Sequence, residues 1–305
     1  TEFSAPLKEK LASSSYIGLP ELVEKQKSAD GTEKLLLRLR DGEMVETVLI
    51  PDEERLTQCV STQAGCPMGC KFCRTASGGF RRNLEAGEIV GQVVAAGAYS
   101  SFQKRVTNVV FMGMGEPLLN LEAVTRAFEI LTADWGFGIS KRKITISTCG
   151  LVEEMKKLPP EILASLAVSL NATTDAQRDL LMPVNRRHPI AELLGALKEL
   201  SAAHKGQYTI EYVLLGGVND TIEDARRLSK LLAGLRCKIN LIPFNPHGES
   251  DFKAPDPRAV ERFQSHLLER GFVAVLRKSR GEDIMAACGQ LRADELLKSK
   301  EAQGS

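Results

Sequence analysis

The sequence predicts an α/β fold, a partial TIM-like (β/α)6 barrel with a small N-terminal β-hairpin extension. Two observations carry this expectation. From Pro51 onward, short apolar strand candidates alternate with helical stretches six times over. Ahead of them, two apolar runs flank Asp41-Gly42, a dipeptide suited to tight hairpin turns. Repeated strand–helix alternation implies a parallel sheet with right-handed crossovers. Six units are too few to close an eight-stranded barrel, so a partial barrel is expected.

Residues 1–33 are polar and lysine-rich, with a Ser13-Ser14-Ser15 run, and open abruptly at Thr1-Glu2-Phe3, as though cut from something longer. The hairpin strands fall at 35–39 and 44–50. Barrel strands are expected at 58–63, 108–112, 143–148, 165–170, 207–215 and 238–243, with a further strand at 271–278. The intervening helices fall at 85–101, 121–133, 191–203 and 222–235. Their apolar residues recur at helical spacing, as at Ile89, Val93 and Ala96. Residues 294–305 read as a helix that frays. The expected organisation is an extension at 1–53, a barrel at 54–293 and a tail at 294–305.

With 305 residues, 43% hydrophobic and 26% charged, the chain can bury a sizeable core. A net charge of +1 gives no bulk support for a nucleic-acid partner, so any such partner must be argued from local basic clusters. There is neither an apolar run of about 18 residues nor a signal-peptide pattern. A cytoplasmic protein with no membrane partner is expected. Seven cysteines, an odd number, argue against a disulfide framework. Four of them crowd into positions 59–73, which suggests metal or redox chemistry.

In such folds ligands bind beyond the carboxyl ends of the strands. Directly after the first barrel strand comes Cys66-Pro67-Met68-Gly69-Cys70-Lys71-Phe72-Cys73. Three thiolates at C-x3-C-x2-C spacing can hold three irons of a [4Fe–4S] cluster and leave the fourth iron open. An open iron can bind the amino and carboxylate groups of S-adenosylmethionine. A zinc knuckle would need four ligands, and no partner motif lies nearby. The motif resembles that of the radical SAM superfamily, and the resemblance implies that Phe72, just before the last cysteine, borders the adenine. Gly115 and Glu116 follow the second strand; the glycine admits close approach and the carboxylate can accept from the α-ammonium group. Ser147, then Ser169 with Leu170 and Asn171, and then Asn245 end later strands. Singly, each of these reads equally well as a turn or cap residue. Cys149 and Cys237 sit in apolar strand contexts and read as packing residues.

The chain resembles the RlmN/Cfr family of radical SAM RNA adenine methyltransferases over about residues 4–292. The motifs are the 59–66 segment from Cys59 to Cys66, Met112-Gly113-Met114-Gly115-Glu116-Pro117-Leu118-Leu119-Asn120, Met182-Pro183-Val184-Asn185, and Asp283-Ile284-Met285-Ala286-Ala287-Cys288-Gly289-Gln290-Leu291. The resemblance implies a [4Fe–4S] cluster on Cys66, Cys70 and Cys73. It places S-adenosylmethionine against Gly115, Glu116, Ser147, Ser169, Leu170, Asn171 and Asn245. Asn171 stands where many members carry histidine. Glu46, on the hairpin, matches a position described in the family as a proton acceptor; alternatively it is an exposed strand carboxylate. Members usually carry an N-terminal accessory domain that contributes to RNA binding, and this chain begins near where that domain ends.

The resemblance also implies a ping-pong route. Adenine C2 is not nucleophilic, so direct attack on the cofactor methyl is closed. Cys288 takes a methyl from one cofactor, since thiolates are good nucleophiles. A radical from a second cofactor removes a hydrogen from that methyl, and the methylene radical adds to the base. After loss of an electron and the ring proton, Cys59 attacks the Cys288 sulfur, a disulfide forms and the product leaves. The implied partners are RNA, both 23S rRNA and tRNA, and an external electron donor such as flavodoxin; a monomer is expected.

Basic clusters suited to phosphates are Lys71, Arg74, Arg81 and Arg82; Lys141, Arg142 and Lys143; Arg186, Arg187 and His188; and Arg277, Lys278 and Arg280. Solvated surface charge is the plainer reading of each. A C8-methylating resistance branch carries cysteine at the position of Ala64 and alanine at that of Pro117. The residues present favour C2. A nonenzymatic iron–sulfur protein that binds RNA or senses redox state is a third reading, separated from the others by release of 5′-deoxyadenosine.

Overall fold

The computed structural model describes residues 3–15, 18–204, 207–248 and 250–293. Its main sheet has ten strands in the order β1-β2-β3-β4-β7-β8-β9-β10-β11-β12. These are β1 (Glu21–Lys27), β2 (Glu33–Arg38), β3 (Met44–Pro51), β4 (Leu56–Cys59), β7 (Asn108–Phe111), β8 (Ile144–Thr148), β9 (Leu166–Ser169), β10 (Tyr208–Leu214), β11 (Cys237–Pro243) and β12 (Val273–Leu276). A separate antiparallel pair is formed by β5 (Gln63–Gly65) and β6 (Phe80–Asn83). From β4 to β12 every neighbouring pair in the main sheet is parallel. This is the expected run of six strands plus one more, with crossover helices between most of them.

The hairpin is not detached from the barrel. Its second strand, β3, pairs antiparallel with β4 and sets Val48 opposite Cys59. The strand β1, unforeseen because its residues are polar, pairs with β2 at the sheet edge. No residue of this edge strand is fully buried, so it carries no apolar alternation to read.

The helices follow their caps. Glu85 and Glu88 form a capping box ahead of Ala86–Tyr99, and Thr221 and Asp224 do so ahead of Ile222–Leu231. Leu121–Thr132 buries Val124, Ala127, Phe128 and Leu131, one apolar stripe facing the sheet. The helix Pro257–Glu269 was not anticipated, although Asp256 caps it and proline occupies its first turn.

The expected strand at 58–63 splits after Cys59. The Gln92 carboxamide accepts from the Ser61 amide and donates to the Ser61 carbonyl, both at 2.8 Å. It thereby takes the place of a strand neighbour, and the chain turns out of the sheet. Cys59 therefore ends β4 at the carboxyl rim. Ahead of Cys288 the chain forms a short 3-10 turn, Glu282–Ile284. The expected tail helix lies outside the described residues. Among the described residues no helix is long and apolar enough to cross a membrane.

Candidate active site

The loop from Cys66 to Cys73 leaves β5 at the rim. Gly65 sits there at φ +78°, and a Cβ on it would lie 2.0 Å from the Gly79 carbonyl oxygen. Only glycine fits both the conformation and the space. The Cys66 amide then donates to that same carbonyl at 2.8 Å, and Lys71 N donates to Leu181 O at 2.9 Å.

Cys66, Cys70 and Cys73 line one cavity of about 150 Å³ with Phe72, Gly115, Glu116, Ser147, Ser169 and Asn171. Six strand-end or loop residues singled out from sequence thus meet the three thiols. Leu170 is fully buried but forms no wall; its backbone bonds to Glu211 and Arg178 instead. Asn245 lines a neighbouring cavity of about 470 Å³ and accepts from the Ser279 hydroxyl at 2.9 Å. Cys288 lines both cavities, and Cys59 lines the larger one. Cys288 is exposed, whereas Cys59 is buried.

Polar groups around the smaller cavity are tightly held. Glu116 accepts from the Leu118 amide at 3.0 Å and the Cys149 amide at 2.8 Å. Burial nevertheless pushes its carboxyl above the usual range, because those bonds only partly offset desolvation. Asn171 adopts a left-handed φ of +57°, which asparagine tolerates better than most residues, and accepts from Val213 N at 2.8 Å. Arg178 is fully buried and donates to the carbonyls of Cys149, Ser169, Leu170 and His188. It ties the ends of β8 and β9 together beneath the site.

Burial pushes all three motif thiols up, Cys66 to about 12. Their thiolates therefore require a cationic partner in this cavity. Among the described residues, no three Cys, His, Asp or Glu side chains converge as the ligands of a single ion would. A multi-iron cluster, which spreads its ligands around a cube, fits this donor set.

A radical SAM superfamily model matches residues 60–229. The "Dual-specificity RNA methyltransferase RlmN" of Anaeromyxobacter dehalogenans is 50% identical over 300 residues, covering 96% of this chain and 81% of that one. The protein of the same name from Geobacter sulfurreducens is 52% identical over 265 residues, covering 87% and 72%. A radical SAM methyltransferase structure from Sphaerobacter thermophilus superposes with a TM-score of 0.89 at 43% identity, covering 96% of this chain and 86% of that one.

The chain belongs to the RlmN family of radical SAM RNA methyltransferases.

Membership brings the superfamily's [4Fe–4S] cluster and S-adenosylmethionine as cofactors. Several groups around the RlmN-type site escaped the sequence reading. Cys149, read as strand packing, lines the cavity of the motif cysteines and lies against Glu116. Cys237 is buried at the opposite, amino end of β11, consistent with packing. Glu211 is buried, accepts from the Ser147 hydroxyl at 2.7 Å and lies 3.8 Å from Arg277. A glutamate inside the apolar run Ile210-Glu211-Tyr212 was the signal available for it.

Glu46 is not an exposed strand carboxylate. It is 1% exposed, pairs with Lys34 at 3.0 Å and accepts from the Arg292 amide at 2.7 Å. The basic clusters divide. Arg82 is held by Asp41 and Glu88, and Lys141–Lys143 precedes β8 at the end away from the site. Lys278 and Arg280 line the larger cavity together with Arg55.

Proposed function

We propose that this chain methylates C2 of adenosine in the peptidyl-transferase region of 23S rRNA and in tRNA 3′ to the anticodon, through S-methylcysteine at Cys288 and a Cys59–Cys288 disulfide. The observation that carries the reading is the meeting of two cavities at Cys288, one walled by the motif cysteines and the other by Cys59. Cys66, Cys70 and Cys73 hold the cluster, while Phe72, Gly115, Glu116, Ser147, Ser169 and Asn171 surround the cofactor. Leu170 contributes through its backbone and Asn245 from the adjoining wall. When bound, the cluster and S-adenosylmethionine supply a methyl group and a carbon-centred radical.

The residues of the chain divide the remaining work. Cys288, exposed at the junction, takes the methyl on its sulfur and presents it to the base. Cys59 lies deeper, and burial together with the nearby Cys288 sulfur pushes its thiol up to about 12, so it stays protonated at neutral pH. In the release step the Cys59 sulfur bonds to the Cys288 sulfur and the Cys288 sulfur–carbon bond breaks. The proton given up by Cys59 balances the one the departing methylene carbon gains to become methyl. Arg55, Lys278 and Arg280 around the larger cavity suit RNA phosphates. Ala64 and Pro117 favour C2 over C8. An external donor such as flavodoxin supplies the electron to a monomeric enzyme.

The test is nucleoside mass spectrometry after anaerobic reconstitution with S-adenosylmethionine, reductant and each RNA. 2-Methyladenosine is the expected product in both RNAs. Formation of 8-methyladenosine, or no methylated adenosine with either RNA, overturns the reading.

A further inference from the structure

The Cys288 segment is a part of the site that no strand carries. It lies beyond β12 and is held from outside, at Met285 and Arg292 by the N-terminal hairpin and at Gly289, Gln290 and Leu291 by Arg74, Pro246 and Thr75. Glu46 stands opposite Leu36 in the β2–β3 register, and Lys34 is two residues from Leu36. The two charged side chains are therefore diagonal neighbours on one face. They meet at 3.0 Å with 6% and 1% of their side chains exposed. A buried ion pair contributes little net stability once desolvation is counted, so its presence suggests a task other than holding the fold.

Both partners reach the Cys288 segment. Lys34 Nζ donates to the Met285 carbonyl at 3.3 Å, and the Arg292 amide donates to Glu46 Oε2 at 2.7 Å. Met285 lies three residues before Cys288 and Arg292 four after it. Met285 is also left-handed at φ +52°, a conformation that a non-glycine residue keeps only when its surroundings impose it. The same strand holds the second cysteine. Thr47, next to Glu46, donates to the Cys59 carbonyl at 2.7 Å, and the Glu46 carbonyl accepts from the Ser61 hydroxyl at 2.7 Å. One dipeptide of β3 thus bonds to the backbone of both reactive-cysteine segments. The Glu46 carboxylate itself lines neither cavity.

We propose that the Lys34–Glu46 pair is a positioning clamp that sets the Cys288 segment against Cys59, and that Glu46 serves as its anchor rather than as acceptor of a substrate proton. This rests on the roles given above to Cys288 and Cys59.

Two readouts test it on the full chain, neither of which is activity. The first is amide exchange across 285–292. The second is the effective concentration of the Cys59–Cys288 pair, read from its disulfide equilibrium with glutathione. Lys34→Met, Glu46→Gln and the double variant should each speed exchange at 285–292 and lower the effective concentration by about tenfold, the effect of losing one well-made hydrogen bond. Lys34→Arg should retain parental values, because it keeps the charge and a donor. Amides of β7–β9 report whether the barrel itself is intact. Should a single substitution unfold it, the double variant, which strands no lone buried charge, decides.

Parental exchange and parental disulfide equilibrium in Lys34→Met or in the double variant overturn the clamp. Loss of RNA methylation in Glu46→Gln alone, with exchange unchanged, makes Glu46 the proton acceptor instead. If the parent forms no Cys59–Cys288 disulfide, the cysteine reading fails while the exchange arm still decides the clamp.

Discussion

The Ser147 hydroxyl donates to Glu211 Oε2 at 2.7 Å, joining a rim serine of β8 to a carboxylate buried in β10. Among the described residues Glu211 Oε1 has no hydrogen-bond partner, and it lies 3.8 Å from Arg277. A buried oxygen left without a bond is costly, and this one belongs to a residue lining the cavity of the motif cysteines, the one proposed to take the cofactor. Its partner is therefore expected on the ligand.

Glu211→Gln should weaken S-adenosylmethionine binding by roughly tenfold, or about 1.4 kcal/mol, through loss of a charge-assisted acceptor. Equilibrium binding to the reconstituted protein measures this directly. Cluster content should be unchanged, since Glu211 holds no iron. Parental affinity would leave Glu211 a purely structural partner of Ser147 and Arg277.

The cysteine motif makes a separate prediction. With Cys66, Cys70 and Cys73 in one cavity, anaerobic reconstitution should give four irons per chain. Replacing all three by alanine should abolish the brown absorbance and the bound iron. A full cluster in the triple variant would place the ligands elsewhere.

The parts of the site legible in the sequence were those set by local spacing. C-x3-C-x2-C is recognised by its spacing alone, while Gly115-Glu116 and Ser169-Leu170-Asn171 each follow a strand whose apolar run is plain to read. What stayed hidden depends on contacts between distant segments. Glu46 was singled out only by resemblance, and nothing in its own strand foretells that Arg292, 246 positions away, bonds to it. Cys149 looks like packing because its apolar strand gives no hint that Glu116 waits across the sheet. The break of β4 after Cys59 depends on Gln92, whose carboxamide cannot be foreseen in a helix read only for its apolar stripe.

Asp30 links the pH dependence of stability to the Cys288 segment. It accepts from the Gly281 amide at 3.0 Å. Burial pushes its carboxyl up, but hydrogen bonds from Gly281, Thr32 and Ser28 outweigh that and lower it from 3.8 to about 2. A depressed carboxylate stabilises the fold above its unfolded value and loses that contribution as pH falls through the folded value. The loss should therefore fall between about pH 4 and pH 2. Because Asp30 is largely solvent-exposed, screening reduces the contribution to about 1 kcal/mol. Asp30→Asn should flatten the stability curve over that window by this amount, measured by denaturant unfolding at stepped pH. An unchanged curve would refute the assignment.

The final prediction isolates Cys59. If Cys288 delivers carbon through a covalent bond to RNA, a second sulfur must break that bond, and Cys59 lines the same cavity. Its burial keeps it protonated until the release step, so it does not compete with Cys288 for the methyl group. Cys59→Ala should accept methyl on Cys288 and form the RNA adduct but fail to resolve it. A shifted protein band should accumulate and collapse on ribonuclease treatment, and product should fall by at least about a hundredfold, as expected when an essential covalent step is removed. Cys288→Ala should give neither band nor product. Thr47→Val, which removes the 2.7 Å hydroxyl bond to the Cys59 carbonyl, should slow resolution without blocking it. Normal turnover in Cys59→Ala, or methylated adenosine from Cys288→Ala, would rule out the two-cysteine route and require a different carrier for the methyl carbon.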